Sequence, residues 1–576
     1  VRSGAVRGRA PTLALVTALV VSACTKVEAP ATSGPSANGV AASPPAAGGA
    51  MAGGSGTGGN PWTHHGIFVY AQHEDAKSLN PMLATGAVAG DLSYFLFSYA
   101  VRYDDKARPV PDALREVPTV ENGDVSKDGL TLKYKLRPNI YFHDGVKMTC
   151  RDLAFTWKAV MNPANLDITH DGYRDIASID CRDPLVAVVR MKRVYAPFLQ
   201  QLWGVNGNAP ILPAHLLEKY NDAKGSFNQA PFQSAPVGSG PFKFERWDRG
   251  QQVVMTAFDK YFLGRPKLDK VVFRTLPDES TLVSEIKTHE IDMAERIGAN
   301  VYPEARNIPG TVALALPTYT FAHIDFNLKR PIFADVRMRR ALEMGVDRKA
   351  IIEKIAHGLG DPSPVPDSPV ISPDYDPNVP KYPYDPGKAR ALLDAMGWKV
   401  GPDGIRVRNG QRLAFEFATQ SESITGRAVE AFVQRSWHDL GADVSIKNQP
   451  TPQFFANGTE GVLQGGHYDV ATFAWVAAAD PDDSSIYSGK NMAPSGQNAL
   501  FWADPVADKA MDDGLATVDP AKRKAASWIE QTRFAEEVPS IILYFRREAF
   551  VYNSDLRGFK PSPVISPFWN AQDYSI

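Results

Sequence analysis

From residue 62 to residue 576 the chain runs without a second low-complexity linker, and short β-branched or aromatic runs alternate with segments of helical spacing along that length. A chain built this way must bury strands and helices together, in domains that pack on one another or interleave. Strand-like runs fall at 66–71, 130–136, 186–191, 252–257, 271–276, 320–327, 414–419 and 541–545. In 335–355, Val336, Leu342, Val346, Ile351, Ile352 and Ile355 recur near the 3.6-residue period, which predicts helix there. The segments 282–291, 386–396, 424–440 and 520–536 read the same way. The expected class is α/β. At roughly 150 residues per domain, 576 residues imply two to four domains. No internal repeat is visible.

Charge narrows the partners. Lys+Arg number 62 against Asp+Glu 64, a net charge of -2, so no basic surplus argues for a nucleic-acid partner. Three cysteines exclude a disulfide-dense scaffold and any four-cysteine metal site. No apolar run reaches the roughly 18–20 residues that span a bilayer.

The front of the chain reads as an export signal, residues 1–23. Arg2, Arg7 and Arg9 precede an uncharged apolar stretch and small residues, followed by Cys24. Val21-Ser22-Ala23-Cys24 resembles a bacterial lipobox, in which Cys24 would carry the lipid; the alternative is a plain secretory signal with a chance cysteine. Residues 24–61 read as a leash, because 26 of the 36 residues from Thr25 to Asn60 are Ala, Gly, Pro or Ser and expose too little apolar surface to offset chain entropy. Gly54–Gly59 matches G-x-G-x-x-G, but with no strand before it and no helix after it the match is discarded. Cys150 and Cys181 are an even pair in an exported body, expected to be bridged, with two buried free thiols as the alternative.

Catalytic motifs are scarce. The chain has no P-loop pattern, no G-x-S-x-G and no H-E-x-x-H. Ser284-Glu285-Ile286-Lys287 matches S-x-x-K without the accompanying K-T-G or S-D-N, leaving an exported serine hydrolase using Ser284 and Lys287 as the competing enzyme reading. His64 and His65 are more economically a solvated loop pair than a metal site. No cofactor and no metal are expected.

Several segments taken in order resemble one family. Ser78-Leu79-Asn80-Pro81 is followed by Asp128–Thr131, Tyr134–Arg137 and Phe142-His143-Asp144-Gly145. Then come Val237-Gly238-Ser239-Gly240-Pro241-Phe242, His289-Glu290-Ile291-Asp292, Phe326-Asn327 and Asp335–Leu342. Tyr384-Asp385-Pro386 and Tyr468-Asp469 through Asp480-Pro481 complete the series. Together they resemble the bacterial solute-binding proteins of the oligopeptide, dipeptide and nickel class, extracellular solute-binding family 5, over almost all of residues 66–576. Each motif also has a structural reading: Gly238 and Gly240 as a tight turn with unusual backbone angles, Asp144-Gly145 as a turn, Asp335 as an N-cap, and Arg337, Arg339 and Arg340 as surface charges.

The resemblance implies a two-lobed periplasmic-binding-protein fold (type II, Venus-flytrap) with an inserted extra subdomain. Lobe one would comprise 66–99, 237–322 and 542–576, the insertion 100–236, and lobe two 323–541, with the hinge near 323–329 and 543–547. It implies a lipid-anchored, monomeric receptor in the cell envelope or periplasm that captures a peptide-like solute. That receptor would deliver the solute to the permease and ATPase subunits of an ABC importer. A non-peptide solute such as a metal chelate or sugar, and a receptor-like envelope scaffold, remain as alternatives. In peptide-binding relatives an acid three residues after the tryptophan of a W…DP segment holds the ligand's α-ammonium. Here Trp475 leads to Ala478 at that position, and the segment is one residue short before Asp480-Pro481. Either Asp480 or Asp482 substitutes, or free and N-blocked peptides are poorly discriminated. Trp475 is a candidate aromatic wall, and Tyr94, Tyr319 and Asn327 are cleft candidates by position in the family pattern.

Overall fold

The computed structural model describes residues 59–84, 86–166, 169–206 and 209–576. The export signal, Cys24 and all but the last residues of the leash lie outside them. The chain is tied to the body from Asn60 onward. The Asn60 side chain donates to Gly310 O at 3.0 Å and Asn553 Oδ1 at 2.7 Å, and Trp62 stacks on His289 with ring centroids 3.6 Å apart. None of the described helices is long and apolar enough to cross a membrane.

An 11-stranded mixed sheet is the frame. Its principal strands are β1 (Ile67–Gln72), β2 (Phe242–Asp248), β3 (Gln252–Ala257), β4 (Lys270–Thr275) and β5 (Met293–Ile297). They continue with β6 (Thr311–Phe326), β7 (Ala414–Ala418), β8 (Asp443–Ile446), β9 (Val470–Val476) and β10 (Ser540–Asn553). The spatial order is β8-β7-β9-β6-β10-β5-β1-β4-β3-β2. β1 lies parallel to β4 and β5, and β7 lies parallel to β8 and β9. The antiparallel pair β6 and β10 joins these two groups through its length.

Among the described residues, the two largest apolar clusters fall in different lobes. One gathers Phe68, Tyr70, Phe95, Phe242 and Phe273. The other gathers Phe326, Leu342, Phe417, Trp437 and Val470. The segment 100–236 carries its own small sheet, with strand Val186–Met191 between Thr131–Lys135 and Ile176–Asp183. Its Tyr134, Leu153 and Trp203 nevertheless belong to the first interior, so this segment is not cored independently. A Cys150–Cys181 disulfide, Cα atoms 5.5 Å apart, ties helix Cys150–Val160 to strand Ile176–Asp183.

Pro317 marks the middle of β6. Proline has no N–H to give a ladder, and the β6–β10 register shifts between Pro317 and Phe321. A second register shift falls between Ala322 and His323, at the edge of the expected hinge 323–329, after which pairing is regular over His323↔Ile542, Ile324↔Ile541 and Asp325↔Ser540. The expected counterpart, 543–547, lies opposite both shifts, with Arg547 paired to Pro317, Phe545 to Phe321 and Tyr544 to Ala322.

Three local expectations change. The stretch 335–355 is two helices, Val336–Met344 and Arg348–Lys354. Gly345 ends the first, and the Asp347 side chain accepts from Ala350 N to cap the second at 2.9 Å. Arg339 is not a surface charge: it is 4% exposed and donates to Phe333 O at 2.6 Å, Glu537 O at 2.8 Å and Val538 O at 3.1 Å. It thereby satisfies carbonyls at the end of helix Pro520–Glu537, where the β-branched Val538 sits at φ 47°. Gly238 and Gly240 have no positive φ; each is required by close approach, since an added Cβ would meet Leu96 O at 1.8 Å and Phe95 O at 2.4 Å respectively.

Candidate functional site

The break at Pro317 opens a cavity of about 330 Å³ where the two groups of strands meet. Thr318, Tyr319 and Thr320 of β6 form its floor, and Val476 to Ala479, which run on from β9, form one wall. The N-terminal turn of helix Ala87–Leu96 and the loop 562–567 close other sides. Arg296 and Glu548 project from β5 and β10. Thr318, Thr320, Arg296 and Glu548 also line a neighbouring cavity of about 290 Å³, shared with Tyr544 and Arg546. Adjoining cavities of this size, at the junction of two lobes, suit a small solute.

Backbone groups freed by the break find side-chain partners. Thr318 Oγ1 donates to Arg546 O at 2.9 Å and accepts from Thr320 N at 3.2 Å. Tyr319 OH donates to Ile371 O at 3.1 Å, and its carbonyl accepts from Ala477 N at 3.0 Å. These bonds fix the Ala477–Ala479 wall to the floor.

A charged cluster sits at the cavity's edge. Arg296 adopts φ 53°, a costly angle for a residue with a Cβ, at the register shift between Ala294 and Ile297 in the β5–β10 pair. Its Nη1 donates to Asp91 and, at 2.7 Å, to Glu295 Oε1, while its Nε lies 3.4 Å from Glu548 Oε1. Asp91 and Glu295 are fully buried, whereas the Glu548 side chain is 31% exposed. Burial, reinforced by Asp91, holds the Glu295 carboxyl well above the usual range.

The residues singled out from the sequence separate. Tyr319 and Ala478 line the cavity. Trp475 is half-buried, edge-on to Phe473 at 5.5 Å, and supports the wall that follows it. Tyr94 does not reach the cavity: it is 1% exposed within the first interior, with the Arg102 guanidinium 5.0 Å from its ring. Asn327 is likewise enclosed, donating from Nδ2 to Gly466 O at 3.1 Å and Tyr468 O at 2.8 Å, which pins the chain leaving β6.

Neither candidate substitute acid is on this cavity. Asp480 is held by both terminal nitrogens of Arg523, at 2.7 and 2.5 Å, with side chains 9% and 16% exposed. Asp482 accepts from Ser484 N at 3.1 Å and faces a separate, smaller recess with Glu530 and Arg523. Burial raises the carboxyls of Asp482, Asp483, Glu530 and Asp374, and lifts Asp367 to about 7. This is an acid-rich packing region beneath the wall, with Arg523 as its central cation. Ser284 and Lys287 are both exposed on helix Glu279–Thr288, and Lys287 Nζ lies 3.8 Å from Glu304.

Arg296, Thr318, Arg546 and Glu548 are the residues that sequence reasoning missed. One signal was available: Arg546-Arg547-Glu548 is a charged triplet inside a run that is otherwise apolar from Ile541 to Val551. Charges are seldom placed in a buried strand without a use.

Comparison with known proteins agrees with this architecture. The model of bacterial extracellular solute-binding proteins, family 5, middle part, matches residues 81–497. The oligopeptide-binding protein AppA of Bacillus subtilis is 25% identical over 492 residues, covering 84% of this chain and 87% of that protein. The glutathione-binding protein GsiB of Pectobacterium atrosepticum is 26% identical over 450 residues, covering 76% and 82%. The crystal structure of NikZ from Campylobacter jejuni in complex with Ni(L-His) superposes with a TM-score of 0.71 at 25% identity, covering 89% of this chain and 99% of that one.

Proposed function

The chain belongs to the bacterial extracellular solute-binding proteins, family 5, and from that premise we propose that it is the receptor of an ABC importer for a peptide or peptide-like solute. The solute sits between the lobes, on the Thr318–Thr320 floor and against the Ala477–Ala479 wall. We take lobe one as 66–99, 237–322 and 542–576, the insertion as 100–236, and lobe two as 323–541. Closure follows from selective binding: a solute touching both lobes binds the closed arrangement more tightly than the open one, so it shifts the population toward closure. The observation that carries the reading is the cavity itself. It lies where the ladder joining the lobes is interrupted, and it offers hydroxyl and backbone groups of the kind that hold amide-bearing ligands.

No catalytic role is assigned. The family consists of receptors, and Ser284 and Lys287 stand on an exposed helix face away from the cavity.

The reading is tested by mass spectrometry of the solute that co-purifies with the protein, followed by thermal melts of the stripped protein with peptides. A peptide at 100 times its Kd should add about 2.7 kcal/mol to stability. A co-purifying sugar or chelate, together with melts that no peptide shifts, would replace the peptide reading.

Export is a property of the family, and the lipid anchor is our extension of it. The basic residues, short apolar stretch and Val21-Ser22-Ala23-Cys24 support lipidation of Cys24. Cys24→Ser should move the protein from the membrane to the soluble fraction on cell fractionation; unchanged membrane retention would rule the anchor out. We further propose that the receptor works as a monomer.

A further inference from the structure

The inserted segment meets lobe two at a place apart from the cavity floor. Val518, in the turn between helices Pro505–Leu515 and Pro520–Glu537, stands against Gly129, whose added Cβ would lie 3.4 Å from Val518 Cγ1 and 3.2 Å from Val194 Cγ1. Gly129 turns the chain there at φ 68° and puts no side chain between these two valines. Beside them a cavity of about 230 Å³ is lined by Pro118, Val120, Phe198 and Leu199 of the insertion and by Val518 and Pro520 of lobe two. Glu121 from the insertion, and Asp374 and Arg523 from lobe two, are its charged edge. Its lining shares no residue with the two cavities described above.

We propose that the inserted segment 100–236 is a second jaw, which latches onto lobe two at Val518 and the Asp480–Arg523 pair and holds the two bodies together before any solute binds. The latch rests on the lobe assignment above and is independent of what the solute is.

Lobe two offers a braced platform for it. Lys524 Nζ donates to Pro373 O at 2.8 Å, and Trp528 Nε1 and Gln531 Nε2 donate to Asp374 O at 3.0 and 2.9 Å, so the loop 371–376 and helix Pro520–Glu537 are tied into one piece. Ile371 and Val518 of that platform pack against the first apolar cluster, to which the insertion belongs. Two phenols of the insertion face the Asp480–Arg523 pair. Burial pushes Tyr103 up, with Asp480 the next cause; burial also raises Tyr195, followed by Asp171 within the insertion and by Asp482 and Asp480 across the contact. The two sides are nevertheless not fused. The cavity between them is far looser than the close packing of a core, so the contact is able to open. Its state reaches the solute cavity through Tyr319, whose OH donates to Ile371 O at 3.1 Å. A latch of this kind reduces what the solute must supply for closure, because apparent affinity scales with the fraction of molecules already competent to bind.

The test is amide hydrogen exchange, read by mass spectrometry on the full chain as purified and after stripping of bound solute. In stripped wild type the segments 119–125 and 194–199 should stay as protected as before stripping. V518D puts a carboxylate against an apolar contact that already has Glu121 and Asp374 at its edge. In stripped protein it should speed exchange of both insertion segments by about tenfold or more. Strand Gln252–Ala257, outside the contact, should exchange as in wild type, which separates opening of the latch from general loss of stability. Should V518D fail to fold, or speed that strand as well, V518A is read instead, and the loss of two methyl groups should speed the same segments about threefold. Protection that vanishes when wild type is stripped would mean that the solute holds the bodies together. Equal exchange in wild type and variant would mean that Val518 holds nothing. Either result overturns the latch, and both leave the receptor reading standing.

Discussion

Gly238→Ala should destabilise the protein by about 4 kcal/mol or more, because the new methyl has nowhere to go. A Cβ at this position would stand 1.8 Å from Leu96 O and 2.8 Å from Leu96 C, both backbone atoms that cannot rotate away. Moving the segment would break several bonds at once. Gly240 N donates to Leu96 O at 3.0 Å, and His143 N donates to Gly238 O at 2.8 Å. Gly238 N donates to His143 Nδ1 at 3.2 Å, which leaves Nε2–H to donate to Gly240 O at 3.1 Å. Burial pushes the His143 imidazole down to about 4, so it is neutral at pH 7, as this two-sided bonding requires. Gly514→Ala is the control. Gly514 lies in helix Pro505–Leu515, where the added methyl meets only Ala526 Cβ at 3.6 Å. That substitution should stabilise by about 0.5–1 kcal/mol through helix propensity. Urea denaturation of the three proteins decides the matter. A Gly238→Ala loss below about 1 kcal/mol would mean that the junction is softer than its contacts imply.

Arg523→Met should cost about 3–5 kcal/mol at pH 8, the usual penalty for removing one partner of a buried ion pair. The pair with Asp480 is bidentate and poorly exposed, and Asp482 and Asp374 stand near enough to shift with it. Without the guanidinium, those carboxylates face one another in a region of low dielectric. The loss should shrink on acidification. Asp482 and Asp374 are already raised by burial, and Asp367 lies near 7. Groups whose folded-state pKa is raised bind protons more readily folded than unfolded. Their protonation stabilises fully below the unfolded value of about 4, and that contribution is lost as pH rises through the folded value. The gap between variant and wild type should therefore narrow from pH 8 to pH 5 in matched urea titrations. A gap that is constant with pH would show that Arg523 acts through packing of its stem rather than through charge.

Much of the architecture was legible because it is written in short local patterns. Motif order along the chain identified the family, and several strands and helices fell where periodicity placed them. Helix Ile424–His438 and strand Gln252–Ala257 are examples. Strands β2, β5, β8 and β9 were missed as strands, and β6 and β10 were read far too short. Their sequences mix charge, proline and small residues, so the period-2 signal fails where tertiary pairing supplies what local preference does not.

Arg339 shows the same limit from the other side. Three arginines in one helical stretch look alike in sequence. One of them nevertheless ends up 4% exposed, because the end of helix Pro520–Glu537 brings unsatisfied carbonyls to it.

The site divides along that line. Sequence alone determined that the chain mixes strands and helices and that its motifs follow the order of one family. Local chemistry decides both: side-chain periodicity, and short motifs that are read residue by residue. Only the tertiary structure decided which charged groups line the cavity and which are buried against a partner. Arg296 meets Asp91 and Glu548 across 205 and 252 residues of chain, and Asp480 is withdrawn by an arginine 43 residues further on. No spacing rule connects such distant positions. They come together because β5, β6 and β10 are neighbours in the sheet, and because burial makes each charge seek whichever opposite charge the fold has placed within reach.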